Sequence, residues 1–279
     1  MIDYSRLSEE LFVEPAMPSD IDRIMEIERS SWPETDGAMV AAREKIELRQ
    51  SLGCLLATKD RGGQIYGYIT TFQPEWADPR SLEHVLKRLP TGFDEMPTET
   101  RWNYINRNFG IPQNWYEATN DGWIVRNGYN MRKPDGKVVM GASIATAREI
   151  QGHGIVRITI QGALKRAEEL GAEYFIAFSR LPAYEETERK QGRIIPPEEY
   201  KMLTRQRKDG GVVPHDYGFQ FHWEAGAQPT TTIDGKRGYV LVPNSMYDDF
   251  ESKGYGILVI TPINPVQRRE PFSLLNLHF

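Results

Sequence analysis

The stretch Ala145–Leu164, "ATAREIQGHGIVRITIQGAL", sets two glycines and a histidine in one bend between two apolar runs. Upstream, Val138–Ala147 ("VVMGASIATA") is small, apolar and β-like. Downstream, Ile155, Ile158, Ala163, Ala167 and Leu170 recur at helical spacing. The bend Gln151-Gly152-His153-Gly154 is therefore a predicted strand-to-helix junction. A helix start leaves backbone N–H groups without partners and carries the positive end of the dipole, so glycines there let an anion approach the main chain. Gly171 stops the helix, and "AEYFIAFSRL" (Ala172–Leu181) reads as the next strand, closing a strand, crossover helix, strand unit. A dinucleotide fold would carry its glycines near the first strand, and a P-loop would continue into Gly-Lys-Ser/Thr; neither condition is met.

Working outward, Leu11–Glu14 reads as a short strand, and Pro18-Ser19-Asp20 offers a helix start before Ile21, Ile24, Met25 and Glu28, which share one face. Ala41–Gln50 continues as a second helix. Cys54–Phe72 ("CLLATKDRGGQIYGYITTF") reads as a hairpin turning at Asp60–Gly63. Between Gln73 and Asp135, Trp76, Trp102, Trp115 and Trp123 lie among prolines, glycines and asparagines, with one helix expected at Pro79–Leu89. We read 73–135 as an insertion covering a site rather than a linker, within a single domain spanning 1–279.

The chain has 279 residues, 39% hydrophobic and 26% charged, enough for a sizeable core. Its net charge of -5 disfavours the basic face that nucleic acid requires. The one cysteine, Cys54, sits in an apolar run and reads as a buried thiol in a reducing compartment. No apolar run is long enough to span a membrane, and the start "MIDYSRLSEELFVEP" is polar rather than signal-like, so a cytoplasmic location is expected. Histidine and cysteine show no metal-ligand spacing.

The order strand, helix, helix, hairpin, strand, glycine turn and helix, strand, helix, two closing strands resembles the GNAT superfamily of acyl-CoA transferases. "TAREIQGHGIV" (Thr146–Val156) is similar to its Gln/Arg-x-x-Gly-x-Gly/Ala motif: Gln151 and Gly154 match, and Val156 departs from the final small residue. "VEPAMPSDIDRIMEIERSSWP" from Val13 is similar to openings common in the superfamily. Asn114–Lys137, Phe178–Glu186 and Asp248–Ile260 resemble a long-insert subgroup that is found free-standing, beside nitrilase-like domains and in polyketide loading modules. The resemblance implies an α/β GNAT fold, a mixed central sheet with flanking helices and a long insertion before the fourth strand. It implies acetyl-CoA or another acyl-CoA as cosubstrate. Gln151, Gly152, His153, Gly154, Ile155 and Val156 would wrap the pyrophosphate, the backbone of Ile144 and Thr146 would pair with the pantetheine arm, and Arg148 would add a phosphate contact.

Acyl transfer needs a donor at the acyl carbonyl, a base for the nucleophile and an acid for the thiolate. "GASIATA" offers only Ser143 and Thr146 where many relatives carry a strand glutamate. Tyr184 falls where many relatives keep the tyrosine that protonates coenzyme A. His222, near the last helix, reads as a packing histidine or a base, and Glu117 and Asp121 in the insert are alternatives. The expected enzyme is a GNAT-type N-acyltransferase moving a short acyl group to an amine of a small molecule or peptide. A second reading is decarboxylation of a malonyl-type thioester with S-transfer to an acyl carrier protein. Relatives of that kind use a histidine and a threonine, and Phe178-Ser179-Arg180 supplies no histidine. A third is a non-catalytic acyl-CoA-binding GNAT. The sequence leaves a homodimer open.

Overall fold

The computed structural model describes residues 10–32, 40–207 and 210–263; Met1–Glu9, part of the start read as unlike a signal segment, and Pro33 lie outside them. Strand β1 (Phe12–Pro15) leads to α1 (Ile21–Ser31), which buries Ile21, Ile24, Met25, Ile27 and Glu28, and then to α2 (Arg43–Ser51). The expected hairpin follows as β2 (Leu55–Lys59) and β3 (Ile65–Phe72). Its turn is closed by Gly63 N donating to Asp60 O at 3.0 Å.

The insertion is more regular than its composition implied. Helix α3 (Pro79–Lys87) starts under Asp78, whose carboxylate accepts from Ser81 N. Two further helices were not expected: α4 (Thr98–Phe109), ended by Gly110 at φ 67, and α5 (Trp115–Thr119). Trp102 and Ile105, three apart, form the buried face of α4, and Trp102 is 0% exposed. The insert thus shares one apolar core with the sheet, where Trp102 meets Phe178, and truncating such a tryptophan to alanine costs about 3–5 kcal/mol.

The chain returns as β4 (Val138–Thr146), α6 (Ile155–Glu169) and β5 (Tyr174–Arg180), the predicted unit within two residues at each end. Three helices, where one was expected, then occur: α7 (Tyr184–Gln191), α8 (Pro197–Tyr200) and α9 (Tyr217–Glu224). β6 (Leu241–Val242) and β7 (Gly256–Pro262) close the chain.

The central sheet has seven strands in the order β1-β2-β3-β4-β5-β7-β6. It is mixed: β4 and β5 run parallel and every other pair is antiparallel. Alternating residues divide its faces. Leu56, Ile69, Val139 and Phe175 pack under α6, whereas Tyr68, Phe72, Met140 and Phe178 face α1, α2 and the insert. Helix α6 lies so close to β1 that a Cβ on Gly162 would stand 2.5 and 2.7 Å from the methyl carbons of Val13.

Candidate active site

β4 and β5 pair only from Val138↔Tyr174 to Gly141↔Ala177. Beyond that rung β4 stays with β3 as far as Thr146↔Gly67, and β5 stays with β7 as far as Arg180↔Gly256. The two neighbours part and a wedge opens between them. A bulge supplies the local cause: Thr70 faces Ser143 while Thr71 faces Gly141, so Ala142 is an extra residue that bends β4. Gly141 lies on the Phe175 ring, where a Cβ would stand 2.6 Å from Cζ. From Ala142 to Thr146 the β5-facing edge of β4 has no strand partner among the described residues. Such an edge is a template for an extended ligand.

β4 runs on past the wedge's first step into the turn that starts α6. Gln151, Gly152, His153 and Gly154 are exposed there, and both glycines adopt left-handed conformations at φ 81 and 80. A Cβ at either would meet nothing within 4 Å, so open space lies over the turn. Gly154 caps α6 without a side-chain bond, which leaves the helix start to an outside acceptor. His153 Nδ1 stands 3.2 Å from Ile150 O and 3.1 Å from Gln151 O, so this ring braces the turn. Ile155 is buried and Val156 half-buried, while Arg148 is exposed. Gln151 Nε2 donates to Thr146 O at 3.4 Å, tying the turn to β4. The fold therefore gathers Ile144, Thr146, Arg148 and Gln151–Val156 at one end of the wedge.

Ser143 lies on the opposite sheet face, half-buried, beside residues that sequence reasoning did not select. Its hydroxyl donates to Thr70 Oγ1 at 2.9 Å and accepts from Arg49 Nη1 at 3.3 Å. Arg49 is 1% exposed, and its Nε and Nη2 donate to Gly122 O of the insert at 2.9 and 2.7 Å. No carboxylate pairs with it among the described residues, and burial pushes its pKa below the ordinary arginine value. Nearby, Tyr68 donates its hydroxyl to Glu28, whose other oxygen accepts from Ala41 N at 2.8 Å. The available signal was a charged residue on an apolar stripe: Arg49 follows Ile46 on the buried face of α2.

One tryptophan fixes the insert to this region and another braces it internally. Trp115 Nε1 donates to Ala142 O at 2.7 Å, at the first step of the wedge, and Trp76 Nε1 donates to Ala118 O within the insert at 3.1 Å. Of the two insert carboxylates considered from sequence, Glu117 Oε2 accepts from Gln113 N at 2.9 Å and Asp121 pairs with Lys45 at 3.4 Å.

The expectation for Tyr184 is corrected. Its ring is 1% exposed, packed on Tyr200 at 4.2 Å within the core under α6. Its hydroxyl donates to Ile195 O at 2.6 Å, and burial raises its pKa well above the ordinary phenol value. A proton committed to an internal carbonyl is not aimed at a leaving thiolate. His222, by contrast, sits on α9, which packs against both β5 and α6, the elements bordering the wedge. Its ring is 5% exposed, and burial lowers its pKa to about 3. It is a neutral imidazole.

No family model matches the chain, and no curated protein does. Solved structures do match. The GphF GNAT-like decarboxylase in complex with isobutyryl-CoA is 18% identical, with a TM-score of 0.56 over 90% of this chain and 99% of that one. The loading GNATL domain of CurA from Lyngbya majuscula is 16% identical, with a TM-score of 0.57 over 91% and 98%. Malonyl-CoA decarboxylase from Agrobacterium vitis is 11% identical, with a TM-score of 0.56 over 97% of this chain and 67% of that one. With the parted β4 and β5, the glycine turn at α6 and these likenesses together, the chain has the GNAT fold.

Proposed function

We propose that the protein is an acyl-CoA-dependent acyltransferase whose donor lies in the wedge between β4 and β5. The observation that carries this reading is the early end of the β4–β5 ladder at Gly141↔Ala177 directly before an uncapped, glycine-opened helix start. Pyrophosphate would accept from the N–H groups at the start of α6, with Gly152 and Gly154 keeping Cβ atoms away from its oxygens. The pantetheine amides would pair with the open edge at Ile144 and Thr146 as a further strand. Arg148, exposed beside the turn, is suited to a phosphate.

The acceptor would approach over Ser143 and the insert. In the first reading it is an amine of a small molecule or peptide. The nitrogen attacks the thioester carbonyl, the C–S bond breaks, and the amine proton leaves to solvent while the thiolate takes one up. Ser143 Oγ, which donates to Thr70 and accepts from Arg49, would offer its remaining lone pair to the incoming N–H; this reading asks for positioning more than for a strong base.

A second reading is favoured by one observation. The histidine sought at the end of β5 is absent there, yet α9, which carries the buried His222, packs against β5 from further along the chain. A neutral imidazole suits a hydrogen bond to the carbonyl oxygen of a malonyl-type thioester while its carboxylate leaves as carbon dioxide; solvent would then protonate the enolate carbon, and the acyl group would pass to a carrier-protein thiol as coenzyme A leaves. The likenesses to a decarboxylase and a loading domain support it. One experiment separates the readings: the protein is incubated with acetyl-CoA or malonyl-CoA, with an amine panel or a carrier protein, and free thiol and carbon dioxide are followed. Thiol release from acetyl-CoA that depends on an amine supports the first reading; carbon dioxide from malonyl-CoA supports the second. Neither signal, with coenzyme A bound, leaves a binding protein without turnover.

A further inference from the structure

Resting on the acyl-CoA reading above, we infer that Trp115 determines which acyl groups the site accepts, its indole walling the insert side of the wedge so that only short chains fit. Ala142 is the first β4 residue beyond the last β5 rung, and its carbonyl accepts from Trp115 Nε1 at 2.7 Å. The indole therefore spans the point where the strands part. Ala142 and Phe178 face the insert from the two diverging strands and belong to the core cluster against which Trp115 packs. Phe178 is itself backed by the edge of Trp102, ring centroids 6.0 Å apart. An acyl group that enters through the wedge from the α6 face thus emerges against an apolar wall.

That wall is built not to swing. The Trp115 backbone N–H donates to Ser245 O at 3.0 Å, and its carbonyl accepts from Thr119 Oγ1 at 2.8 Å. Gly122, left-handed at φ 74, sits so close that a Cβ there would stand 3.0 Å from the Trp115 ring. Arg49 holds Gly122 in place through its carbonyl. The ring is thus fixed at its N–H edge, at its backbone and on one side, and a longer chain cannot displace it without breaking part-buried hydrogen bonds. A hydrophobic pocket discriminates by about 10–200-fold per methylene that it refuses.

The test uses the full chain and calorimetric titration with coenzyme A, acetyl-CoA, butyryl-CoA and hexanoyl-CoA, so no acceptor is needed. In the unsubstituted protein hexanoyl-CoA is expected to bind at least about tenfold more weakly than acetyl-CoA. Trp115→Ala should bring that ratio to within about threefold while coenzyme A affinity holds. Trp115→Phe, smaller than indole but still a packed ring, should fall between. Equal ratios in the unsubstituted protein and Trp115→Ala, with coenzyme A still bound, overturn the wall and leave the acyl-CoA reading standing. If coenzyme A does not bind the unsubstituted protein, the acyl-CoA reading fails and the wall with it. Should Trp115→Ala not fold, Trp115→Phe decides: a ratio identical to the unsubstituted protein overturns the proposal.

Discussion

Replacing Gly152 and Gly154 together by valine should abolish coenzyme A binding while the fold survives. Both glycines are left-handed, so an L-residue there costs about 1–2 kcal/mol each. Neither Cβ would touch protein within 4 Å, so the cost to the free fold stops at that strain, about 2–4 kcal/mol from a total of about 5–15. The cost to the complex is larger, because the same open space is where phosphate oxygens must lie. A hydrogen bond to a charged group is worth about 1.5–3 kcal/mol, so losing two of them removes about 3–6 kcal/mol, or 10²–10⁴ in Kd. Calorimetry at one fixed salt concentration measures it, beside a melting curve. Gly192→Val is the control: it is also left-handed, at φ 64, also clear of neighbours, and lies at the end of α7 instead. It should lose similar stability and no affinity. A folded double variant that binds coenzyme A within threefold of the parent would refute the phosphate turn.

Tyr184→Phe should leave turnover within about threefold and lower stability by about 1–3 kcal/mol, because Ile195 O loses its buried donor; a hundredfold loss of turnover at unchanged stability would restore a catalytic role. His222 has a folded pKa of about 3 against 6.5 unfolded, so the unfolded chain takes up that proton first. Stability from this group is full above pH 6.5 and falls as pH drops toward 3, by about 1.4 kcal/mol per unit at most. Denaturant titrations of the parent and His222→Gln between pH 7 and about 4 should converge on acidification; parallel curves would show that the ring is not held neutral. Gly162→Ala should cost about 1–3 kcal/mol by pressing α6 off Val13, and Val13→Ala should recover part of it; additive losses in that double-mutant cycle would contradict the contact.

The strand, glycine turn and helix were legible because each is written in local spacing, and the hairpin at Asp60–Gly63 because turn residues punctuate it. The parting of β4 and β5 was not. "AEYFIAFSRL" is apolar from Tyr174 to Phe178, and nothing in it marks Ala177 as the last residue to pair with β4. That end depends on one extra residue in β4, which a pattern of small residues conceals. Helices α4 and α5 were missed because tryptophans and asparagines dilute the apolar spacing around Trp102 and Ile105. Tyr184 was located correctly after β5, but its direction is set by α8, whose approach puts Ile195 O over the hydroxyl. Arg49 escaped because a buried cation looks, in sequence, like any surface charge on a helix.

The short β4–β5 ladder also divides the molecule mechanically. β1 to β4 form one antiparallel block and β5, β7 and β6 another, and four residue pairs are all the sheet bonding that joins them. A seam this narrow is where the two blocks can flex against each other, and the amides of Ile144 and Thr146 beyond it should exchange with solvent sooner than those of the buried β4–β5 rungs. An extended ligand lying along Ala142–Thr146 would lengthen the seam from the inside, as a splint does. Occupancy would then be felt as stiffness across the whole sheet, from the β1 edge to the β6 edge, well away from any atom the ligand touches.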